Sequence, residues 1–176
     1  LGADFVDIIV ENQKMTEVEL LSSQIEKLNT GIDFGIGLRM VIGTNVLYGY
    51  TNHTSEDELI RVINLLGARI QDGSPRDTRS LTVKHMPDRH PVTKPLNQGT
   101  HMEPKVAFLK KMDVAARAEH EKIAQFVGRI LQREQQVEIF NSDGLHVSDV
   151  RHYSRIYASA VAEDGGQQSS GYTAPG

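Results

Sequence analysis

An α+β fold, with largely antiparallel mixed sheets and two main helices packed on them, is predicted by three features of this chain. Runs rich in β-branched and aromatic residues recur towards both ends, most of them joined by short turns. Two internal segments switch to helical periodicity, and a polar, proline-bearing stretch separates the halves.

The first strand is read at Asp4 to Glu11, where Phe5, Val6, Ile8, Ile9 and Val10 are concentrated. Thr16 to Asn29 reads as two further strands meeting at Ser22-Ser23-Gln24. Gly35 to Ile42 and Val46 to Tyr50 flank Gly43-Thr44-Asn45, which is a hairpin signal. The period then changes. Ser55-Glu56-Asp57-Glu58 matches a capping box, and Leu59, Val62, Ile63, Leu66 and Ile70 follow at helical spacing, with Arg69 expected in the last turn.

Gln71 to Glu103 is expected to be a surface connection punctuated by Pro75, Pro87, Pro91 and Pro95, with a short extended piece at Leu81 to Lys84. A second helix is predicted from about Pro104 to His120, its inward stripe formed by Val106, Leu109, Met112, Asp113 and Ala116. Ile123 to Leu131, Gln136 to Asn141, Leu145 to Val150 and Tyr153 to Glu163 read as strands, with Asn141-Ser142-Asp143-Gly144 as a turn. From Asp164 onward the composition predicts a loop. The divisions expected are therefore strands plus helix over 1–70, a connection over 71–103, and helix plus strands over 104–176.

Bulk properties exclude several function classes. Hydrophobic content of 39% and charged content of 24% over 176 residues are those of a globular chain able to bury a core. A net charge of −4 argues against a nucleic-acid binder, which ordinarily shows a basic face. Cysteine is absent, which rules out a disulfide framework or a thiol nucleophile in this stretch. No apolar run approaches the roughly 18–20 residues that span a bilayer. The opening Leu1-Gly2-Ala3-Asp4 lacks an initiator Met and a signal-type stretch, so the expectation is a cytoplasmic segment of something longer.

The tempting chemistry mostly fails on spacing. His120-Glu121 resembles the start of a zincin helix, yet position 124 is Ala and position 125 is Gln, so the second histidine is missing. His53, His85, His90, His101, His146 and His152 sit in contexts that frame no ligand set, and they read as surface histidines. A remoter option is a small-molecule site built on His85 and His90. Gly35-Ile36-Gly37 meets Met40 where a dinucleotide fingerprint needs its third Gly, and it leads into a strand. A bulge or close backbone approach is the better reading of these glycines. Asp143 and Asp149 do not suggest a paired-carboxylate centre. No catalytic or metal-ligating residue is assigned. Arg151 and Arg155 share a strand face, being an even number of residues apart. They read either as structural partners of Asp149 or as a substrate-binding clamp for carboxylate or peptide backbone.

Several segments, in order, resemble the TldD/PmbA family. These are Gly2-Ala3-Asp4-Phe5-Val6-Asp7, Asp33-Phe34-Gly35-Ile36-Gly37-Leu38-Arg39, and Pro104-Lys105-Val106 through Asp113 with Ala116-Arg117. Asn141-Ser142-Asp143-Gly144, Asp149-Val150-Arg151, and Val161-Ala162-Glu163-Asp164-Gly165 followed by Ser170-Gly171-Tyr172 complete the set. The Asp-x-Arg and Ala-Glu-Asp-Gly elements lean to the TldD branch. The resemblance implies an N-terminal domain of a cytoplasmic metalloprotease that processes peptides. It also implies a dimer, either with a TldE/PmbA-type subunit or with itself. By the same resemblance the parent protein holds a divalent metal, zinc being the expected one, in a downstream His-Glu-x-x-x-His helix with a Cys ligand, and this segment contains neither. The rival reading is a non-catalytic PmbA/TldE-like partner or regulator of the DNA gyrase modulator type. Neither reading calls for direct nucleic-acid binding or a membrane.

Overall fold

The computed structural model describes residues 2–69, 82–83 and 101–176. Along the chain these form β1 (Phe5–Leu21), β2 (Gln24–Ile42), β3 (Asn45–Thr51), α1 (Glu56–Gly67), β4 (Thr82–Val83), α2 (Glu103–Glu119), β5 (Ile123–Asn141), β6 (Leu145–Asp164) and β7 (Gln167–Thr173). The strand order is β3-β2-β1-β5-β6-β4, and β7 also pairs with β6. β3 runs antiparallel to β2 and β7 antiparallel to β6, whereas the two-residue β4 is parallel to β6. The fold is α+β and largely antiparallel. Ile70, most of the 71–103 connection, His85 and His90 lie outside the described residues.

The strands are longer than their apolar runs. Asp4–Glu11 and Thr16–Leu21 merge into β1, and the other three long strands likewise join pairs of segments read separately in the sequence. In β1 and β5 the joining residues are mostly polar, and polar cross-strand partners hold them in the ladder. Lys14 reaches Glu134 at 3.9 Å, and Gln135 Nε2 donates to Glu11 at 2.6 Å. Hydrophobic alternation reports burial, and these positions remain strand without it.

Each long strand contributes to two compact units. The first comprises the described residues within Leu1–Gln13, Asp33–Pro91 and Gln135–Val150; the second those within Lys14–Ile32, Val92–Glu134 and Arg151–Gly176. In the first unit Ile8, Val10, Phe34, Ile36 and Leu38 alternate onto one face and meet Leu59, Val62, Ile63 and Leu66 of α1. Gly49 lets β3 lie close to that helix, since a Cβ there would stand 2.7 Å from Val62 Cγ1 and 3.0 Å from Leu66 Cδ1. On strand residues of the other parity, Arg39 forks onto the buried Asp7 carboxylate and lies over the Phe5 ring. Gly35 lies under the Tyr50 ring, the close approach expected of it, while Gly37 has open space above it.

The N-terminus of α1 departs from the capping box. Ser55 is the N-cap residue but makes no side-chain cap bond. Glu58, its expected reciprocal partner, instead accepts from Arg61 Nε and Nη2 at 2.7 and 2.8 Å and from the Thr51 hydroxyl at 3.2 Å. A guanidinium one turn away outcompetes a backbone N–H for that carboxylate. Arg69 also falls outside the helix, past the C-cap Ala68, so no basic residue occupies the last turn.

The Arg61 hydrogen bonds hold the Glu58 carboxyl down from its ordinary 4.5 to about 2. Because the folded value lies below the unfolded one, the stabilisation is complete above the unfolded value and is lost as pH falls through the folded one. The expected result is that the excess melting temperature of the unaltered protein over Arg61→Gln is constant above about pH 5 and shrinks towards zero near pH 2. Thermal melts across that range check it, and a pH-independent difference would remove Glu58 as the cause.

In the second unit, Val18 and Leu20 of β1, Phe126 and Ile130 of β5, and Ile156, Ala158 and Ala160 of β6 form the platform under α2. Val106, Leu109, Met112 and Ala116 face it, and Asp113 is buried on the same stripe, as the spacing predicts. Ion pairs lie beside this core: Arg129 bonds Glu19 at 2.7 Å, and Lys27 bonds Glu17 at 2.6 Å.

One expectation is overturned at the C-terminal end. The stretch after Asp164 is not loop but β7, paired with β6 from Asp164↔Gln167 to Ala158↔Thr173. Gly165 and Gly166 both take left-handed φ, 55° and 84°, and so make a two-residue turn that sends the chain back along β6. Glycine and serine content suggested a loop, while the Gly-Gly pair itself is a hairpin signal.

Candidate peptide-binding edge and face

Arg151 and Arg155 both lie on β6, in the second unit, and both are exposed. Their parity is opposite to that of Ile156, Ala158 and Ala160, which pack towards α2, so the two arginines point away from the helix. Tyr153 and Tyr157 share that face. The Arg133 guanidinium of β5 sits 4.3 Å from the Tyr153 ring centroid. Tyr157 stacks on Tyr172 of β7 at 6.1 Å, and Tyr172 stands opposite Ser159 in the ladder. Arg151 and Asp149 are both engaged by partners within the structure. Sequence reading named the two arginines and missed Arg133, Tyr153, Tyr157 and Tyr172. Strict alternation along β6 would have supplied the two β6 tyrosines, but Tyr172 required recognition of β7.

β7 itself is an open edge. All seven of its residues are exposed, none is charged or proline, and among the described strands it pairs with β6 alone. Charge, proline and bulges are the usual means of keeping another chain off such an edge, and this strand has none of the first two.

The histidines are placed separately. His120 is the C-cap residue of α2, where its Nδ1 accepts from the Lys122 backbone N–H at 3.1 Å. The His53 backbone N–H donates to Thr51 Oγ1, and the His101 carbonyl accepts from Lys105 Nζ. His146 stacks on Phe140 at 4.2 Å with Nε2 3.1 Å from Glu138. His152 Nε2 is 3.2 Å from Glu134, and its Nδ1 is buried without a hydrogen-bond partner. The surface reading therefore misses the half-buried His152. Among the described residues no three His, Asp or Glu side chains converge as a metal site, so the donor set present does not fit zinc. Asp143 serves a turn in which Asn141 Oδ1 accepts from the Asp143 and Leu145 N–H groups at 3.0 Å each. Among the described residues no helix is long and apolar enough to cross a membrane.

Comparison with known proteins gives one consistent result. Residues 6–69 match the family profile described as PmbA/TldA metallopeptidase domain 1, and residues 98–176 match its central domain. Curated relatives include the metalloprotease TldD homologs of Buchnera aphidicola and Haemophilus influenzae. They are 24% and 23% identical to this chain over 98% and 96% of it. The chain spans only 36% and 35% of their lengths. A Bacteroides thetaiotaomicron structure described as a modulator of DNA gyrase superposes with a TM-score of 0.71 at 15% identity, covering 98% of this chain and 40% of that one. TldE from Thermococcus kodakarensis superposes with a TM-score of 0.61 at 16% identity, with the same coverage. With two adjacent profiles of one family matched in order over most of its length, this chain belongs to the PmbA/TldD metallopeptidase family.

Proposed function

We propose that this chain is the N-terminal scaffold, dimerisation and peptide-access domain of a cytoplasmic TldD-type metalloprotease. In this reading residues 1–176 form one family-type N-terminal region. A downstream domain holds the catalytic divalent metal, zinc by the family's chemistry, and the assembly is a dimer with a TldE/PmbA-type subunit or with itself. The observation that carries the reading is the uncharged, fully exposed β7 edge. An extended peptide can pair its backbone with such an edge as an added strand, which makes recognition indifferent to much of its sequence. Arg151 and Arg155, on the adjoining strand, are the candidate substrate-binding side chains.

The test uses the full-length protein and a fluorescein-labelled extended octapeptide read by anisotropy. Alternate N-methylation of the amides on one edge of the peptide is expected to abolish binding, while methylation of the other edge leaves it intact, because an added strand pairs through one edge only. Equal tolerance of both patterns would overturn strand addition. A second reading, a non-catalytic PmbA/TldE-like partner or regulatory subunit, draws on the likeness to TldE. It replaces the first if the full-length protein binds peptide this way but neither retains zinc nor cleaves.

A further inference from the structure

We propose that the β7 edge selects extended peptides carrying a carboxylate side chain four residues from an aromatic one, a preference that rests on the strand-addition reading above. The antiparallel register does not stop at Thr173: Ile156 N–H donates to the Pro175 carbonyl at 3.0 Å, so the chain continues alongside β6 to Gly176. Carrying the pairing of Ser159 with Tyr172 onward by even steps brings Gly176 opposite Arg155. Gly176 has no side chain, and a Cβ placed there would stand 3.7 Å from Arg155 Nε. The arginine side chain therefore lies across the glycine position and reaches towards the outer edge from one strand further in.

Tyr172 marks the other end of the site. It is 78% exposed, backed by Tyr157, and on the same face of the extended chain as Gly176, four residues away. A peptide strand added outside β7 alternates its side chains between two faces. Those on the Tyr172 face that stand beside Tyr172 and beside Gly176 are themselves four residues apart. The first meets an aromatic ring, and the second meets the Arg155 guanidinium, whose planar fork matches a carboxylate. Arg133 and Arg151 add the same sign of charge to this face, while the acidic residues of the same parity on β6, Asp149 and Glu163, lie towards its two ends. The charge complement is thus an acidic peptide residue at one position only.

The experiment titrates the full-length protein with labelled octapeptides of Ser, Thr and Gln that carry Tyr and Glu at positions 2 and 6, in both orders. The better order is expected to bind about threefold more tightly than its Glu→Gln analogue or than the same peptide with Glu moved one position to the opposite face. That advantage should fade as salt rises towards 0.5 M. In Arg155→Gln the Glu peptide is expected to lose more affinity than the Gln peptide, so that the advantage disappears, and Arg155→Lys retains part of it. Equal binding of the Glu and Gln peptides, or an equal loss of both in Arg155→Gln, would overturn the preference. If one-edge N-methylation still abolishes binding in that case, strand addition survives and only the acidic preference falls. If no octapeptide binds at all, both fall.

Discussion

Replacing Asp113 by alanine is expected to cost about 3 kcal/mol of stability. Asp113 is 2% exposed and faces inward from α2 among apolar residues. Its carboxylate is tolerated there because both oxygens are engaged. One accepts from the Ser23 hydroxyl, the other from Arg117 Nε at 2.9 Å, and Arg117 in turn donates to the Ile123 carbonyl. Ser23 belongs to the β1–β2 turn, where Ser22 and Ser23 take φ of 44° and 71°, a conformation that favours glycine or asparagine. The carboxylate thus ties a strained turn to the helix above it. Removing it takes away the acceptor shared by the Ser23 hydroxyl and Arg117 Nε and opens a small void, while the guanidinium keeps its bond to the Ile123 carbonyl. Arg117, about a third exposed, can turn to water, which keeps the effect below that of a fully buried charge. Asp113→Asn, which keeps the volume and one acceptor, should lose roughly half as much. Urea unfolding checks the series through the transition midpoint at unchanged slope. An Asp113→Ala midpoint within error of the unaltered protein would mean that the network contributes nothing.

The same residue shows what the sequence could and could not convey. Its helical spacing with Leu109, Met112 and Ala116 placed it on the inward stripe, because the period of 3.6 is a local property of the chain. Its partner is 90 positions away in a turn read only as a strand break. Class and direction of the fold were legible for similar reasons: short turns imply antiparallel neighbours, and two helical stripes imply one covered face in each unit. Strand lengths were not legible, since Lys14 and Gln135 stay in the ladder through cross-strand partners that no local pattern announces. Glu58 illustrates competition among local partners. The capping-box spacing was present, but Arg61 and Thr51 offered the carboxylate better donors. At the candidate site, two arginines were visible by parity alone. The aromatic half depended on reading Gly165-Gly166 as a turn and Gln167–Thr173 as a strand.

Truncating Leu109 to alanine is expected to cost about 3–5 kcal/mol. Its side chain is fully buried, and it sits where α2 presses on Val18, Leu20, Phe126 and Ile130, a platform of strand residues that cannot close over a void without moving the ladder. Gly128 makes the contact possible. A Cβ on it would lie 3.0 Å from Leu109 Cδ2 and 2.9 Å from Phe126 Cε1, so Gly128→Ala alone should cost about 1–3 kcal/mol through overpacking. Combined, the two changes oppose each other. Alanine at 109 removes the Cδ2 that the new methyl would meet and gives the Phe126 ring space to turn, while the methyl fills part of the void. The double variant should therefore be more stable than the sum of the single losses implies, by about 1 kcal/mol or more. Strict additivity in a double-mutant cycle would show that Leu109 and Gly128 do not share a contact, and with it the close seating of α2 on β5 would have to be abandoned.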